Sequence, residues 1–191
     1  MEYLTLSQRY AFYTTTMKYR YYIGLQLPQD ISEEITAIQR DLYEPIESRL
    51  PLEPHITLLP PPAVELIEPY GFATECKMAA KEIMPLTLEL TDVITFEDHA
   101  VALKIDGDGI YGLQEKLSTL LPQPAEVTYY PHPKFTPHVT LVQALHGRKL
   151  PSKLIEAYRK EVASMLPTTF VVEQLTLFEW TSPRKYNAQK I

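Results

Sequence analysis

Residues 54–58 read Pro-His-Ile-Thr-Leu, and residues 135–141 read Phe-Thr-Pro-His-Val-Thr-Leu. Each segment has a proline, then a histidine, then a threonine two residues on, with aliphatic residues between and after. In a strand, residues i and i+2 point to one face and their neighbours to the other. His55 and Thr57 therefore share a face, as do His138 and Thr140. Ile56, Leu58, Val139 and Leu141 take the opposite faces, where helices can cover them. The polar pairs must meet water, a ligand or hydrogen-bond partners, because burying them unpaired is costly.

Working outward, both segments occupy the same place in a concealed repeat. Residues 20–27 alternate and stop at Pro28, which predicts a strand. Asp30 or Ser32 is placed to cap a helix over 31–48, with Ile31, Ile35, Ile38, Leu42 and Ile46 near helical spacing and Pro45 weakening its end. The strand 54–59 follows. A helix is expected within 65–83, then strands over 86–96 and 99–106 joined by a turn near Glu97-Asp98. Gly107-Asp108-Gly109 breaks the chain before a helix over 110–121. A loop, a strand over 137–142, a helix over 152–166 and a strand over 169–180 follow. The tail 181–191 adds a last strand or frays. Strand, helix and His-x-Thr strand thus occur twice, with His55 32 residues after Ile23 and His138 35 after Leu103. A duplicated unit predicts two similar lobes about a pseudo-twofold axis, with the matching strands facing each other.

Two imidazoles and two hydroxyls on one cleft suit phosphoryl chemistry. A neutral histidine accepts a proton from the attacking oxygen, and a protonated one donates to the leaving oxygen. Imidazole alone has an unperturbed pKa that permits both near neutrality. The threonine hydroxyls can donate to non-bridging phosphate oxygens and hold the phosphorus in line. No carboxylate stands at ligand spacing to the histidines, and threonine is a poor zinc ligand, so no metal and no cofactor are expected.

Composition narrows the field. The 191 residues are 45% hydrophobic and 22% charged, which excludes a disordered, collagen-like or coiled-coil chain. Eighteen basic against 24 acidic residues give a net charge of −6. That lacks the basic footprint of a protein gripping long nucleic acid, so a nucleic-acid substrate should be short or met by a local basic patch. Seventeen prolines stand against six glycines, clustered at 45–69 and 122–137, around the two motifs. The single cysteine, Cys76, has no internal partner, which points to a reducing, cytoplasmic setting. No 18-residue apolar run predicts a membrane span. Residues 1–16 read as an N-terminal extension, either an accessory tail, an early-start product or an ordered extra strand. Residues 17–191 read as a single bilobal domain.

The chain resembles the two-histidine (2H) phosphoesterase superfamily, in its LigT-like, 2′-5′ RNA ligase-like branch. The resemblance rests on the paired Pro-His-x-Thr-Leu segments, with histidines 83 residues apart, and on the opening strand YYIGLQLP. It covers roughly residues 18–182. It implies an α+β, bilobal, duplicated LigT-like fold in which two antiparallel sheets line a central groove with helices outside. It also implies a metal-independent cyclic phosphodiesterase or ligase activity on 2′-linked or cyclic ribose phosphates, with His55, Thr57, His138 and Thr140 as catalytic residues.

Other residues are candidates for substrate contact. Tyr22 and Arg20 lie opposite the core face Tyr21, Ile23 and Leu25, and Lys104 lies opposite Val101, Leu103 and Ile105. Arg20 and Lys104 reach a phosphate or are solvated strand charges. Tyr129, Tyr130, His132 and Phe135 precede the second motif; they stack on a base or cover the proline loop. Arg148 and Lys149 follow it, and in the family basic residues often stand there, which makes a phosphate contact for Arg148. His99 and His146 read as surface or turn residues. The leading expectation is a phosphodiesterase, a monomer, acting on a nucleotide or short RNA with a cyclic or 2′-linked phosphate. The alternatives are a non-catalytic nucleotide or RNA-end binding module on the same fold, or an RNA 2′-5′ ligase, which the acidic surface suits poorly.

Overall fold

The computed structural model describes residues 21–43, 48–49, 53–60, 69–121, 135–145, 148–182 and 185–191. In chain order its elements are β1 (Tyr21–Gln26), α1 (Gln29–Asp41), β2 (Ser48–Arg49), β3 (His55–Leu59), α2 (Pro69–Ala80), β4 (Leu86–Phe96), β5 (Ala100–Asp106), α3 (Ile110–Thr119), β6 (His138–Ala144), α4 (Ser152–Val162), β7 (Thr168–Val172), β8 (Thr176–Ser182) and β9 (Lys185–Lys190). The expected extension 1–16, and with it Arg20, Tyr129, Tyr130, His132 and His146, lies outside the described residues.

The strands form one antiparallel sheet in the order β7-β4-β5-β6-β3-β1-β8-β9, with β2 on β6. The α+β class and the antiparallel pairing are as expected. The two expected sheets are instead one, because β3 and β6 pair through Ile56 and Val139 at its middle. The strands predicted to match thus lie side by side.

The sheet has to curl. β7 and β8 stand six strand spacings apart, which would be about 29 Å in a flat sheet. Only four links join Val172 to Thr176, and they reach about 14 Å at most. The chain can make that connection only if the sheet's two ends bend toward each other. The same constraint breaks the strand expected over 169–180. Its first part, β7, pairs with β4, and its second, β8, pairs with β1. Glu173–Leu175 carry the chain between them.

Helices α1 to α4 cover the sheet face that carries Ile23, Leu25, Ile56, Leu58, Val101, Leu103, Val139 and Leu141. Their buried stripes include Ile31 and Ile35 of α1, Phe72 and Cys76 of α2, Leu113 and Leu117 of α3, and Leu154 and Tyr158 of α4, all in one core. Helix α1 starts and ends earlier than its periodicity suggested. Its N-cap is Pro28, whose carbonyl accepts from Ser32 N–H at 2.9 Å, so Asp30 sits in the first turn, where a negative charge favours the helix dipole, and Ser32 lies inside. It stops at Asp41, the residue whose carbonyl the ring of Pro45 would strike if the helix ran on. Helix α4 likewise ends at Val162, and a single 3-10 turn, Ala163–Met165, replaces its expected last turn. The predicted turn at Glu97-Asp98 is present, both residues having positive φ, 49° and 62°. The tail forms β9 on β8.

Candidate active site

Both His-x-Thr segments open the two central strands. β3 begins at His55 and β6 at His138. Ile56 and Val139 are paired and fully buried. Stepping one residue either way along this antiparallel pair sets His55 across from Thr140 and Thr57 across from His138. All four side chains then share the face away from the helices, and all four are half-buried. The histidines lie on a cross-strand diagonal of roughly 7–8 Å. A phosphate held between two imidazole nitrogens needs a span of that order.

The two imidazoles are anchored alike. His55 Nδ1 is 2.8 Å from the Glu53 carbonyl, and His138 Nδ1 is 2.7 Å from the Thr136 carbonyl. A carbonyl only accepts, so each Nδ1 carries the hydrogen and donates. In each neutral ring the lone pair then resides on Nε2. The proline between anchor and histidine explains the recurrence: Pro54 and Pro137 fix φ and turn the chain so that the carbonyl two residues back meets the ring. Burial lowers the pKa of His55; the Glu53 carbonyl bond opposes this, and the nearby His138 charge adds to it.

Aromatic rings back both histidines. Tyr22 and Phe178 stack at 4.6 Å and 5°, and each centroid is 5.1 Å from that of His55. Phe96 stands 4.8 Å from His138. Tyr22 is on the predicted face, yet it is 4% exposed, so its ring supports His55 rather than lying open to a substrate. Lys104 is the cross-strand partner of His138, and its ammonium is held 2.6 Å from Asp106 Oδ2. That bond raises the Lys104 pKa and lowers that of Asp106. Phe135 is half-buried and makes an edge contact with Tyr111 at 5.9 Å.

Arg148 is not brought to this cluster. It follows the far end of β6, about 20 Å of strand from His138, and its carbonyl accepts from His99 Nδ1 at 2.7 Å. His99 is a turn residue, as its sequence context suggested. Lys149 pairs with Asp98 of the β4–β5 turn at 3.3 Å. Arg20 and Tyr130 lie outside the described residues.

Three contributors escaped sequence reading. Phe178 and Phe96 sit in strands whose pattern gave no sign of their partners. Gln39, on α1, is 3% exposed, and its Nε2 donates to the carbonyls of Thr140 and Leu141 at 3.2 and 3.1 Å. It fixes β6 at the second motif from the helix side. A glutamine on the apolar stripe of a helix was the available signal.

A search of curated protein sequences returns no significant match. Among solved structures, LigT of E. coli bound to 3′-AMP superposes with a TM-score of 0.55 at 16% identity, covering 91% of this chain and 95% of that one. A structure described as a phosphoesterase gives 0.59 at 17% identity with the same coverage. TT0787 of Thermus thermophilus gives 0.57 at 15% identity, covering 90% and 94%. At these identities the likeness is one of fold. The sequence itself matches the family model of the 2′-5′ RNA ligase superfamily over residues 27–184, a stretch that holds both His-x-Thr segments. The chain belongs to the 2′-5′ RNA ligase superfamily, the LigT-like two-histidine phosphoesterases.

Proposed function

We propose that this protein is a metal-independent phosphodiesterase acting on a cyclic or 2′-linked ribose phosphodiester, with His55 and His138 as the acid–base pair and Thr57 and Thr140 as phosphate donors. The observation that carries the reading is the matched anchoring of the two imidazoles, each with Nδ1 on the carbonyl two residues back, on adjacent strands of one face. With Nδ1 donating, each Nε2 is the atom that exchanges a proton with substrate. One takes the proton of the attacking water as its oxygen bonds to phosphorus. The other gives a proton to the ribose oxygen as the phosphorus–oxygen bond breaks. A threonine hydroxyl faces each histidine across the strand pair and is placed to hold the non-bridging oxygens. A strained cyclic ester needs positioning and proton transfer, and these groups supply both without a Lewis acid.

Further support comes from the fold. LigT, which shares it, has been crystallised with 3′-AMP, with phosphate and with ATP.

The test is turnover of 2′,3′-cyclic mononucleotides, cyclic dinucleotides and 2′-5′ oligoadenylates, with and without EDTA. Activity is expected on at least one class and is expected to survive chelation. His55→Ala and His138→Ala should each lose roughly 10²–10⁴-fold in turnover, and the double variant should be little worse than the worse single. Thr57→Ala and Thr140→Ala should each cost about 1.5–3 kcal/mol, part of it in binding. Unchanged activity in both histidine variants rejects the mechanism.

A further inference from the structure

We propose that Lys104 and Asp106 form a base-reading ledge beside the two histidines and select guanosine as the nucleoside that carries the reacting phosphate. This assignment rests on the phosphodiesterase reading above and goes beyond it, since the His-x-Thr groups meet only phosphate and ribose oxygens.

The ledge is one strand away from the site. β5 pairs with β6, and Lys104 is the register partner of His138. Lys104 and Asp106 alternate with the fully buried Leu103 and Ile105, so both side chains stand on the face that carries the histidines. β5 lies about one and a half strand spacings, roughly 7 Å, from the seam of β3 and β6 where the reacting phosphate would sit. A ribose carries its base a comparable distance from a phosphate on its 2′ or 3′ oxygen. The Lys104 and Asp106 side chains are 36% and 40% exposed, so a ligand can reach both.

The charges around Lys104 do not suit a second phosphate. The charged residues of β4 and β5 are Glu89, Asp92, Lys104 and Asp106. Asp92 is the register partner of Lys104, and Glu89 is that of Asp106. Three carboxylates around one ammonium repel an anion and favour an uncharged group rich in N–H donors. Asp106 Oδ2 is already filled, accepting from Lys104 Nζ at 2.6 Å and from Thr91 Oγ1 at 3.1 Å. The Lys104 bond, aided by that of Thr91, lowers the Asp106 pKa and keeps the carboxylate an acceptor. Oδ1 accepts no hydrogen bond among the described residues, and Nζ, with one bond made there, keeps two N–H groups to donate.

A fixed acceptor beside a fixed donor reads the edge of a base. Guanine presents O6 as an acceptor next to the N1–H and N2–H donors. O6 can accept from Lys104 Nζ while both N–H groups donate to the two lone pairs of Asp106 Oδ1, which makes three bonds. Adenine and cytosine offer one amino group beside a ring-nitrogen acceptor, and uracil offers one N–H beside a carbonyl, so each makes two.

The experiment compares kcat/KM for 2′,3′-cyclic GMP, AMP, CMP and UMP, and for 2′,3′-cyclic IMP, which lacks N2–H, in the full chain as wild type, Asp106→Asn and Lys104→Met. The readout is the ratio between bases, which a general loss of activity does not move. Wild type should favour cyclic GMP over each of the others by roughly 10–150-fold, the worth of one more hydrogen bond to a charged group. Cyclic IMP should fall to the level of the other three bases. Both variants should lose most of the preference. Equal kcat/KM for all five in wild type overturns the assignment, as does a guanine preference that either variant keeps in full. Where a variant does not fold, the ratio of cyclic GMP to cyclic IMP in wild type decides, because inosine deletes the same bond from the ligand. No turnover of any of these esters would sink the functional reading instead. The ledge is then judged by calorimetry with 3′-GMP, 3′-AMP, 3′-CMP and 3′-UMP, where tighter binding of 3′-GMP supports it and equal affinities overturn it.

Discussion

Gly24 sits under the site, and its replacement by alanine has a calculable effect. A Cβ on residue 24 would stand 2.4 Å from the Ile56 carbonyl oxygen and 3.2 Å from Phe178 Cε2, where ordinary contact begins near 3.4 Å. Gly24 is paired with Thr57 on one side and Thr176 on the other, so neither neighbour strand can yield without breaking the ladder. Relief requires β1 and β3 to part by about 1 Å, which stretches the local N–H to O=C bonds beyond their useful range. Overpacking of this kind costs about 1–3 kcal/mol, and the weakened strand bonds about 1 kcal/mol more. For a chain of this length each kcal/mol lowers Tm by about 2–4 °C, so a fall of roughly 4–16 °C is expected. Gly112 is the internal control. It lies in α3, and a Cβ there meets nothing within 4 Å, so Gly112→Ala should gain about 0.5–1 kcal/mol by removing a flexible residue from a helix. Thermal and urea melts of both variants test the reasoning, with turnover measured on Gly24→Ala, because Thr57 and Phe178 are the groups displaced. A Gly24→Ala protein that melts within a degree of wild type and keeps full activity refutes the argument.

Two further outcomes are expected. Tyr158 is fully buried in α4 and its hydroxyl finds no partner among the described residues; Tyr158→Phe removes a group that burial leaves unsatisfied, so the urea midpoint should stay or rise, and a loss above about 1 kcal/mol would reveal a bond the hydroxyl makes. Because the folded His55 has a lowered pKa, the unfolded chain binds a proton that the folded chain resists from about pH 6.5 downward. Its contribution to stability is therefore complete above that pH and is lost as pH falls through the folded value, with a slope no steeper than about 1.4 kcal/mol per pH unit. His55→Asn, which can keep a donor toward the Glu53 carbonyl, should flatten this part of the stability–pH curve, and an unchanged slope would assign it to other groups.

What was legible in the sequence was what short-range periodicity encodes. Ile56, Leu58, Val139 and Leu141 are buried, and the histidines and threonines take the other face, because alternation decides both at once. Tyr22 shows where that information stops. Its face followed from the alternation of residues 20–27, but its burial depends on Phe178, 156 positions later, and on the missing Cβ at Gly24. Lys104 is similar: its place beside His138 followed from face and register, while the bond that holds its ammonium comes from Asp106, two residues along the same strand. Arg148 was assigned by its nearness in sequence to the second motif. A strand carries the chain away from its start, so a residue beyond the far end of β6 is remote from a site at its beginning.

The single sheet, too, follows from a contact that no local pattern records. Residues 169–180 alternate as one strand would, and nothing in them says that 169–172 pair with β4 while 176–179 pair with β1. The curl that permits this is set by six strand spacings having to close over a four-link connection. That closure puts β8 beside β1, and so carries Phe178 over Gly24 and against His55. Had the chain continued straight from β7, the last strands would have extended the edge beyond β4, and His55 would have lost the ring that closes it on that side. The two His-x-Thr segments can be written into separate short stretches of sequence. The rings packed against His55 cannot, because Tyr22 and Phe178 come from strands near opposite ends of the chain that only the folded sheet brings together.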